Sequence, residues 1–353
     1  MLKKTVKILK NNGVIAFPTE TVYGMGCILS RECVERLREI KGGREKPFAI
    51  FVKDVRDVKK YAKNISKSAW KVMEEFFPGP LTIILKGKKS LPPGVLSSGG
   101  KVGIRIPDHP LVLKILKEID KPIIATSANK TGEPPPQRAE DVKVRVDEIL
   151  KGEVKYSLPS TVIDFSSFPP VLLRKGPISF LSIERVIKRK VIFSESLTFN
   201  ILFVCTGNTC RSPMAEGIAK KMFKGKRVDV KSCGTAAGYG NMASPEAIVV
   251  MKEHGIDISS HSSKPLTKEL LGWADLVVVM ERHHREYIQE RFPEHSIKVF
   301  MLSEFLKKGK IQDIPDPIGM GIGTYRKIYR RLEQCIKGLE RWVEKRVRIS
   351  VTS

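Results

Sequence analysis

Residues 201–213 read Ile-Leu-Phe-Val-Cys-Thr-Gly-Asn-Thr-Cys-Arg-Ser-Pro. The apolar run 201–204 has the composition of a strand buried on both faces, and 212–223 has helical period with Pro213 where a first turn tolerates it. Between them, 205–211 is a loop. Strand, glycine-containing loop and helix in that order is the unit of a doubly wound parallel sheet, whose sites lie at the carboxyl ends of strands. A second apolar run, 276–280, supplies a further strand. The long amphipathic segment 325–346 follows, with Ile328, Leu332, Cys335, Leu339 and Trp342 or Val343 on one face.

Upstream the pattern is a different α/β mixture. Apolar runs at 14–17, 81–85, 123–125, 161–163 and 171–173 alternate with helical segments at 68–77 and 111–119. A basic helix at 182–190 is followed by a stretch without period that contains Ser194, Glu195, Ser196 and Thr198. The reading is therefore one α/β domain over 1–190, a linker over 191–198 and a second over 199–353. At roughly 100–200 residues per domain, 353 residues suit two.

Composition narrows the class. With 41% hydrophobic and 29% charged residues the chain is neither disordered, collagen-like nor a coiled coil. No run approaches the ~18–20 apolar residues of a membrane span, and the apolar run 13–17 is too short for a signal peptide. A soluble cytoplasmic protein with no membrane partner is expected. The six cysteines, Cys27, Cys33, Cys205, Cys210, Cys233 and Cys335, include no Cys-x-x-Cys pair. Reduced thiols and no metal site are expected, with Cys27 and Cys33 as packing residues. The net charge of +25 is shared by both halves, which reads as a lysine-rich solvated surface or as attraction to a polyanion such as tRNA, nucleotide or phosphoprotein.

The loop 205–211 carries chemistry. Gly207 and Asn208 tolerate positive φ, so consecutive backbone N–H groups can face inward with the helix dipole behind them, forming a nest for a dianion. Those amides and Arg211 would lower the pKa of Cys205 and make it a nucleophile at neutral pH. Cys335 and Arg341 repeat the spacing inside a helix, where no cradle can form, so Cys335 is core.

Cys205-Thr206-Gly207-Asn208-Thr209-Cys210-Arg211-Ser212-Pro213, together with Asp316-Pro317, resembles the low-molecular-weight protein-tyrosine phosphatase family over essentially all of 199–353. The resemblance implies that Cys205 attacks phosphorus, Arg211 clamps the equatorial oxygens, Ser212 donates to the thiolate and Asp316 protonates the leaving group, then activates water. Thr209 looks like the bacterial protein-arginine-phosphatase branch, where many tyrosine phosphatases carry a bulky aliphatic. Ile318, Gly319 and Met320 stand where tyrosines often follow the Asp-Pro. Phosphoarginine is preferred over phosphotyrosine on that ground. Cys210 is read either as loop packing or as a partner that protects Cys205 under oxidation.

Residues 13–26, Gly-Val-Ile-Ala-Phe-Pro-Thr-Glu-Thr-Val-Tyr-Gly-Met-Gly, read as a buried strand entering a polar, glycine-ended turn. Taken with Pro78-Gly79-Pro80-Leu81-Thr82, Val102-Gly103-Ile104-Arg105-Ile106-Pro107-Asp108-His109-Pro110, Ser127-Ala128-Asn129 and Pro159-Ser160-Thr161-Val162-Ile163-Asp164, the stretch resembles the YrdC-like threonylcarbamoyl-AMP synthase family. That implies ATP with Mg²⁺, L-threonine and bicarbonate as substrates, with no tightly bound cofactor. Thr19, Arg105 and Ser160 would hold threonine; Lys41, Arg44, Ser127, Asn129 and Arg174 would hold ATP. The product would pass to tRNA-modification proteins, with tRNA as a further partner. Lys41-Gly42-Gly43-Arg44 departs from the family's Lys-x-Arg, and Pro134-Pro135-Pro136-Gln137 replaces its Ser-Pro-Thr.

The whole chain thus reads as a bifunctional enzyme, a nucleotidyltransferase joined to a phosphoprotein hydrolase. The alternative is a nucleotide- or RNA-binding first half beside a tyrosine phosphatase or arsenate reductase. A carbamoyl transferase using carbamoyl phosphate would need the zinc-finger cysteines and acylphosphatase segment that hydrogenase-maturation proteins carry.

Overall fold

The computed structural model describes residues 2–43, 45–306 and 311–347. The chain divides into two compact units, Met1–Val191 and Ile192–Ser353. No helix among the described residues is long and apolar enough to cross a membrane.

The first unit contains strands β1 (Ile15–Phe17), β2 (Gly24–Ile28), β3 (Ala49–Phe51), β4 (Leu81–Lys86), β5 (Lys101–Arg105), β6 (Ile123–Ser127), β7 (Glu148–Ile149), β8 (Thr161–Asp164) and β9 (Val171–Arg174). Its α-helices are α1 (Leu2–Lys10), α2 (Arg31–Ile40), α3 (Val58–Tyr61), α4 (Lys67–Phe76), α5 (Pro110–Ile119) and α6 (Phe180–Ile187). The strands hydrogen-bond in the order β9-β8-β4-β5-β3-β6-β2-β1-β7, a mixed sheet in which β3 runs parallel to β5, β4 to β8 and β1 to β7, while the other pairs are antiparallel. Leu9, Ile15, Phe17, Val112, Ile115, Leu116 and Ile123 bury one another and fix α1 and α5 on the sheet. Side chains alternate along a strand, so Lys101, Gly103 and Arg105 of β5 share one face, and all three line a cavity.

Three expectations for this unit change. The glycine-ended turn is a hairpin: Gly24 and Gly26 lie inside β2, which pairs antiparallel with β1 from Phe17↔Gly24 to Ile15↔Gly26. A Cβ on Gly26 would come within 2.4 Å of the Ile124 carbonyl on β6, so glycine lets the two backbones approach. The thiols of Cys27 and Cys33 are not reduced packing groups. Cys27 on β2 and Cys33 in the first turn of α2 are joined by a disulfide, their Cα atoms 6.0 Å apart, where Ser30 caps α2 by accepting from the Cys33 amide. The basic helix ends at Ile187 rather than 190, because Lys188 turns into the left-handed region at φ 53°.

The second unit opens with the short strand β10 (Ile192–Phe193), then β11 (Phe199–Cys205), β12 (Val228–Gly234), β13 (Leu276–Val279) and β14 (Val299–Met301). The last four form an all-parallel sheet in the order β12-β11-β13-β14, the doubly wound architecture expected. Its helices are α7 (Arg211–Met222), α8 (Pro245–Glu253), α9 (Lys268–Trp273), α10 (Arg282–Arg291) and α11 (Ile322–Glu344). Leu202, Val204, Val277, Val279 and Ile288 are solvent-free in its core. On α11, Ile328, Leu332, Cys335, Leu339 and Val343 are buried, so Val343 rather than Trp342 completes the stripe. Phe193, within the stretch read as a linker, is buried here: its amide donates to the Arg346 carbonyl and its ring lies 5.0 Å from that of Phe199.

Candidate active sites

In the second unit β11 ends at Cys205 and α7 begins at Arg211, so the loop lies between a carboxyl strand end and a helix N-terminus. Asn208 takes φ 54° and bends the loop around the sulfur. Its amide donates to Cys205 Sγ at 3.3 Å. Its side chain is fully used: Nδ2 donates to Ser212 Oγ at 2.9 Å and Ser232 Oγ at 2.8 Å, and Oδ1 accepts the Lys264 amide at 3.0 Å. With Ser212 Oγ accepting from Asn208, its own hydrogen is left for Cys205 Sγ at 3.0 Å, with the Cys233 carbonyl farther off at 3.4 Å. His261 Nε2, 2.7 Å from the Asn208 carbonyl, closes the back of the loop.

Arg211 is buried, and its two terminal nitrogens meet two carboxylates. Nη1 donates to Glu281 and to the Ile314 carbonyl at 2.9 Å; Nη2 donates to Asp316 Oδ2 at 2.6 Å. The expected residues Cys205, Arg211, Ser212 and Asp316 are therefore brought together, with Thr206, Gly207, Asn208, Thr209 and Cys210 forming the loop between them. Cys210 is a free thiol, its sulfur 3.3 Å from Tyr325 Oη and 3.4 Å from Ser244 Oγ.

The electrostatics of the sulfur differ from the expectation. Burial pushes the Cys205 thiol up from its ordinary value, ahead of the pull of Ser212, Arg211 and the Asn208 amide in the other direction. The Arg211 charge also faces Glu281 and Asp316. Burial also raises Cys335, to about 11, inside α11.

In the first unit a cavity of about 450 Å³ lies along the sheet, and Thr19, Arg105, Ser127, Ser160 and Arg174 all line it. Arg105 Nη2 donates to Glu20 Oε1 and Thr21 Oγ1, each at 2.8 Å, and Thr21 Oγ1 lies 2.9 Å from Thr19 Oγ1. Among the described residues Arg105 Nε and Glu20 Oε2 are buried without a hydrogen-bond partner. Arg174 grips Ser160 twice, Nε to the carbonyl and Nη2 to Oγ, both at 2.9 Å, and Ser160 Oγ is 2.8 Å from Thr82 Oγ1. Lys101 and Asp164, paired at 2.8 Å, also line the cavity.

Lys41 and Asn129 lie beside this cavity rather than in its lining. Lys41 is buried and donates to the Ser127 carbonyl at 3.2 Å, to the Asn129 carbonyl and to Asn129 Oδ1 at 3.3 Å, so it holds the 127–129 turn. Arg44 lies outside the described residues. Thr21, whose hydroxyl with that of Thr19 could be read from sequence as a helix cap or a ligand contact, joins the Arg105 cluster, whereas Glu20, Thr82, Lys101, Asp164, Glu281 and His284 were not anticipated. Glu281 was findable, since it follows directly on the carboxyl end of a predicted strand; the others need the sheet register.

Residues 7–176 match the Sua5, YciO and YrdC family model, described as telomere recombination, and residues 200–349 match the model for low molecular weight phosphotyrosine protein phosphatase. Over 187 residues the chain is 37% identical to the threonylcarbamoyl-AMP synthase of Pyrococcus abyssi, which covers 51% of this chain and 55% of that protein. Over 144 residues it is 45% identical to the protein-arginine-phosphatase of Geobacillus stearothermophilus, covering 40% of this chain and 95% of that protein. The solved structure of P. abyssi Sua5 complexed with L-threonine is 25% identical, with a TM-score of 0.51, covering 85% of this chain and 95% of that one. The chain spans about half the length of the synthases it matches.

Proposed function

Residues 7–176 belong to the Sua5, YciO and YrdC family and residues 200–349 to the low-molecular-weight phosphotyrosine protein phosphatase family, and from that premise we propose a bifunctional enzyme. The first half joins L-threonine, bicarbonate and ATP into threonylcarbamoyl-AMP and pyrophosphate. The second hydrolyses phosphoproteins through a phosphocysteine, with phosphoarginine preferred.

For the synthase, the observation that carries the reading is the bond from Arg174 Nη2 to Ser160 Oγ. It supports the reading because it joins the arginine read as holding ATP to the serine read as holding threonine, so that a carbamate on threonine and an α-phosphate would meet at one point of the cavity. Arg105, fixed by Glu20 and Thr21, faces the threonine carboxylate. Threonine's amine and bicarbonate give the carbamate and water; the carbamate oxygen then attacks the α-phosphorus as the bond to pyrophosphate breaks. Asp164, the carboxylate lining this cavity, is already held by Lys101 and the Ser166 amide. Among the described residues no ready metal-ligand set lies there, and Mg²⁺ is taken as the companion of ATP. The product suits transfer to tRNA by downstream modification proteins.

For the phosphatase, Cys205 attacks phosphorus, Arg211 holds the phosphoryl oxygens and Asp316 protonates the leaving nitrogen or oxygen. In that step Cys205 attacks as the thiolate while Asp316 gives its proton to the leaving group. Thr209 supports the phosphoarginine preference, because its hydroxyl can orient a water or meet a phosphoguanidinium where an aliphatic cannot.

The test is direct. Pyrophosphate release should require ATP, threonine and bicarbonate together; release without threonine, or none at all, overturns the synthase reading. Phosphoarginine should be hydrolysed faster than phosphotyrosine; the reverse order overturns the preference, and hydrolysis of neither overturns the phosphatase.

A further inference from the structure

The first turn of α10 braces the phosphate loop from behind. His284 is fully buried. Its Nδ1 accepts the Glu281 amide at 3.1 Å, so that nitrogen carries no hydrogen and the ring proton sits on Nε2. Nε2 lies 2.9 Å from Thr206 Oγ1, which makes His284 the donor and Thr206 the acceptor. The Thr206 hydroxyl therefore keeps its own hydrogen to give, and among the described residues it has no other hydrogen-bond partner. Thr206 follows Cys205 directly and is only half-buried.

Resting on the phosphatase reading, we propose that His284 is a positioning residue that fixes Thr206 as a side-chain hydrogen donor to an oxygen of the bound phosphoryl group. The loop then offers a hydroxyl besides its backbone amides, and its direction is set from the core. The same turn works on both ends of the loop. Glu281, three residues before His284 and so on the same helical face, holds Arg211. Burial keeps His284 neutral by drawing its pKa down to about 3, so the pairing needs no charge. Glu281, His283 and His284 bring potential metal-ligand atoms within 4.8 Å of one another. However, Glu281 is committed to Arg211 and both nitrogens of His284 are engaged, which leaves His283 as the one uncommitted member of that set and favours a brace over a metal site.

Binding of inorganic phosphate to the full chain, followed by titration calorimetry, tests this. Thr206→Val and His284→Phe should each weaken phosphate about tenfold, the scale of one hydrogen bond to a charged group. The double variant should be no weaker than either alone, and Thr206→Ser and His284→Gln, which keep the hydroxyl and the donor, should recover most of the affinity. Unchanged affinity in Thr206→Val, or additive losses in the double variant, overturns the proposal. A readout that needs no substitution is the histidine tautomer by ¹⁵N–¹H correlation: Nε2–H at His284 is expected, and Nδ1–H overturns the proposal even if His284→Phe fails to fold. Because phosphate binding rather than turnover is read, a wild-type chain that binds phosphate without hydrolysing phosphoproteins sinks the phosphatase reading and leaves this inference to be judged on its own.

Discussion

Arg211 Nη2 donates to Asp316 Oδ2 at 2.6 Å, so the group assigned to protonate the leaving atom rests on the guanidinium assigned to hold the phosphoryl oxygens. A dianion entering the loop must compete with Asp316 for that nitrogen. Asp316→Ala removes the competitor and the acid together, and its two effects have opposite signs. Inorganic phosphate should bind several-fold more tightly than to wild type, while kcat falls by roughly 10²–10⁴, the usual worth of a positioned acid. Phosphate affinity that is unchanged or weaker would show that the contact does not oppose binding.

The sulfur makes a prediction with a definite sign. Burial raises the Cys205 thiol, so below its raised pKa the neutral form dominates and reactivity grows as pH climbs. Alkylation of Cys205 by iodoacetamide should keep accelerating through and beyond the ordinary thiol value of about 8.5. A rate already flat at neutral pH would mean that the amides and Arg211 outweigh burial. Cys205→Ser should abolish phosphatase turnover. Cys335→Ser, in the solvent-free face of α11, should keep it nearly intact while lowering stability; equal loss of turnover in both would displace the nucleophile.

The disulfide between Cys27 and Cys33 is confined to the first unit, where it ties β2 to α2 across a separation of 6 residues. Closing so short a loop stabilises by roughly 2 kcal/mol. The paired substitution Cys27→Ala with Cys33→Ala should cost about that much in the first unit and leave phosphatase turnover unchanged. Thiol counting on the unreduced chain should find Cys205, Cys210, Cys233 and Cys335 free. Alkylation of all six before reduction would contradict the bond.

Much of this was legible in the residues because local chemistry dictated it. The run at 201–204 could only be an internal strand, and a loop of Cys205, Gly207, Asn208 and Arg211 between strand and helix brings the sulfur, its amide and its guanidinium together by chain geometry alone. Contacts between distant segments were hidden. Glu281 reaches Arg211 over a sequence separation of 70, and His261 reaches the Asn208 carbonyl over 53; no spacing rule spans such gaps. Gly24 and Gly26 misled for a physical reason: glycine usually marks a turn, but here it clears room for a neighbouring strand. The direction for Cys205 was hidden as well, since sequence shows the arginine but not how completely the fold buries the sulfur.

The proposed phosphoarginine preference rests on Thr209. Its carbonyl accepts the Ser244 amide at 2.9 Å, so the backbone of this position is tied to the start of α8 and a side-chain change there need not move the loop. Thr209→Ile removes a hydroxyl and adds apolar bulk while keeping β-branching, so the backbone preference is preserved. If the hydroxyl favours a phosphoguanidinium, the ratio of kcat/KM for phosphoarginine over phosphotyrosine should fall by roughly tenfold or more, the scale set by one hydrogen bond to a charged group. Turnover of phosphotyrosine should survive, because Cys205, Arg211 and Asp316 are untouched. A ratio that stays constant while both rates fall would place Thr209 in loop packing and leave the choice of substrate to other residues, such as the exposed Ile318 and Met320 that follow Asp316 in the chain.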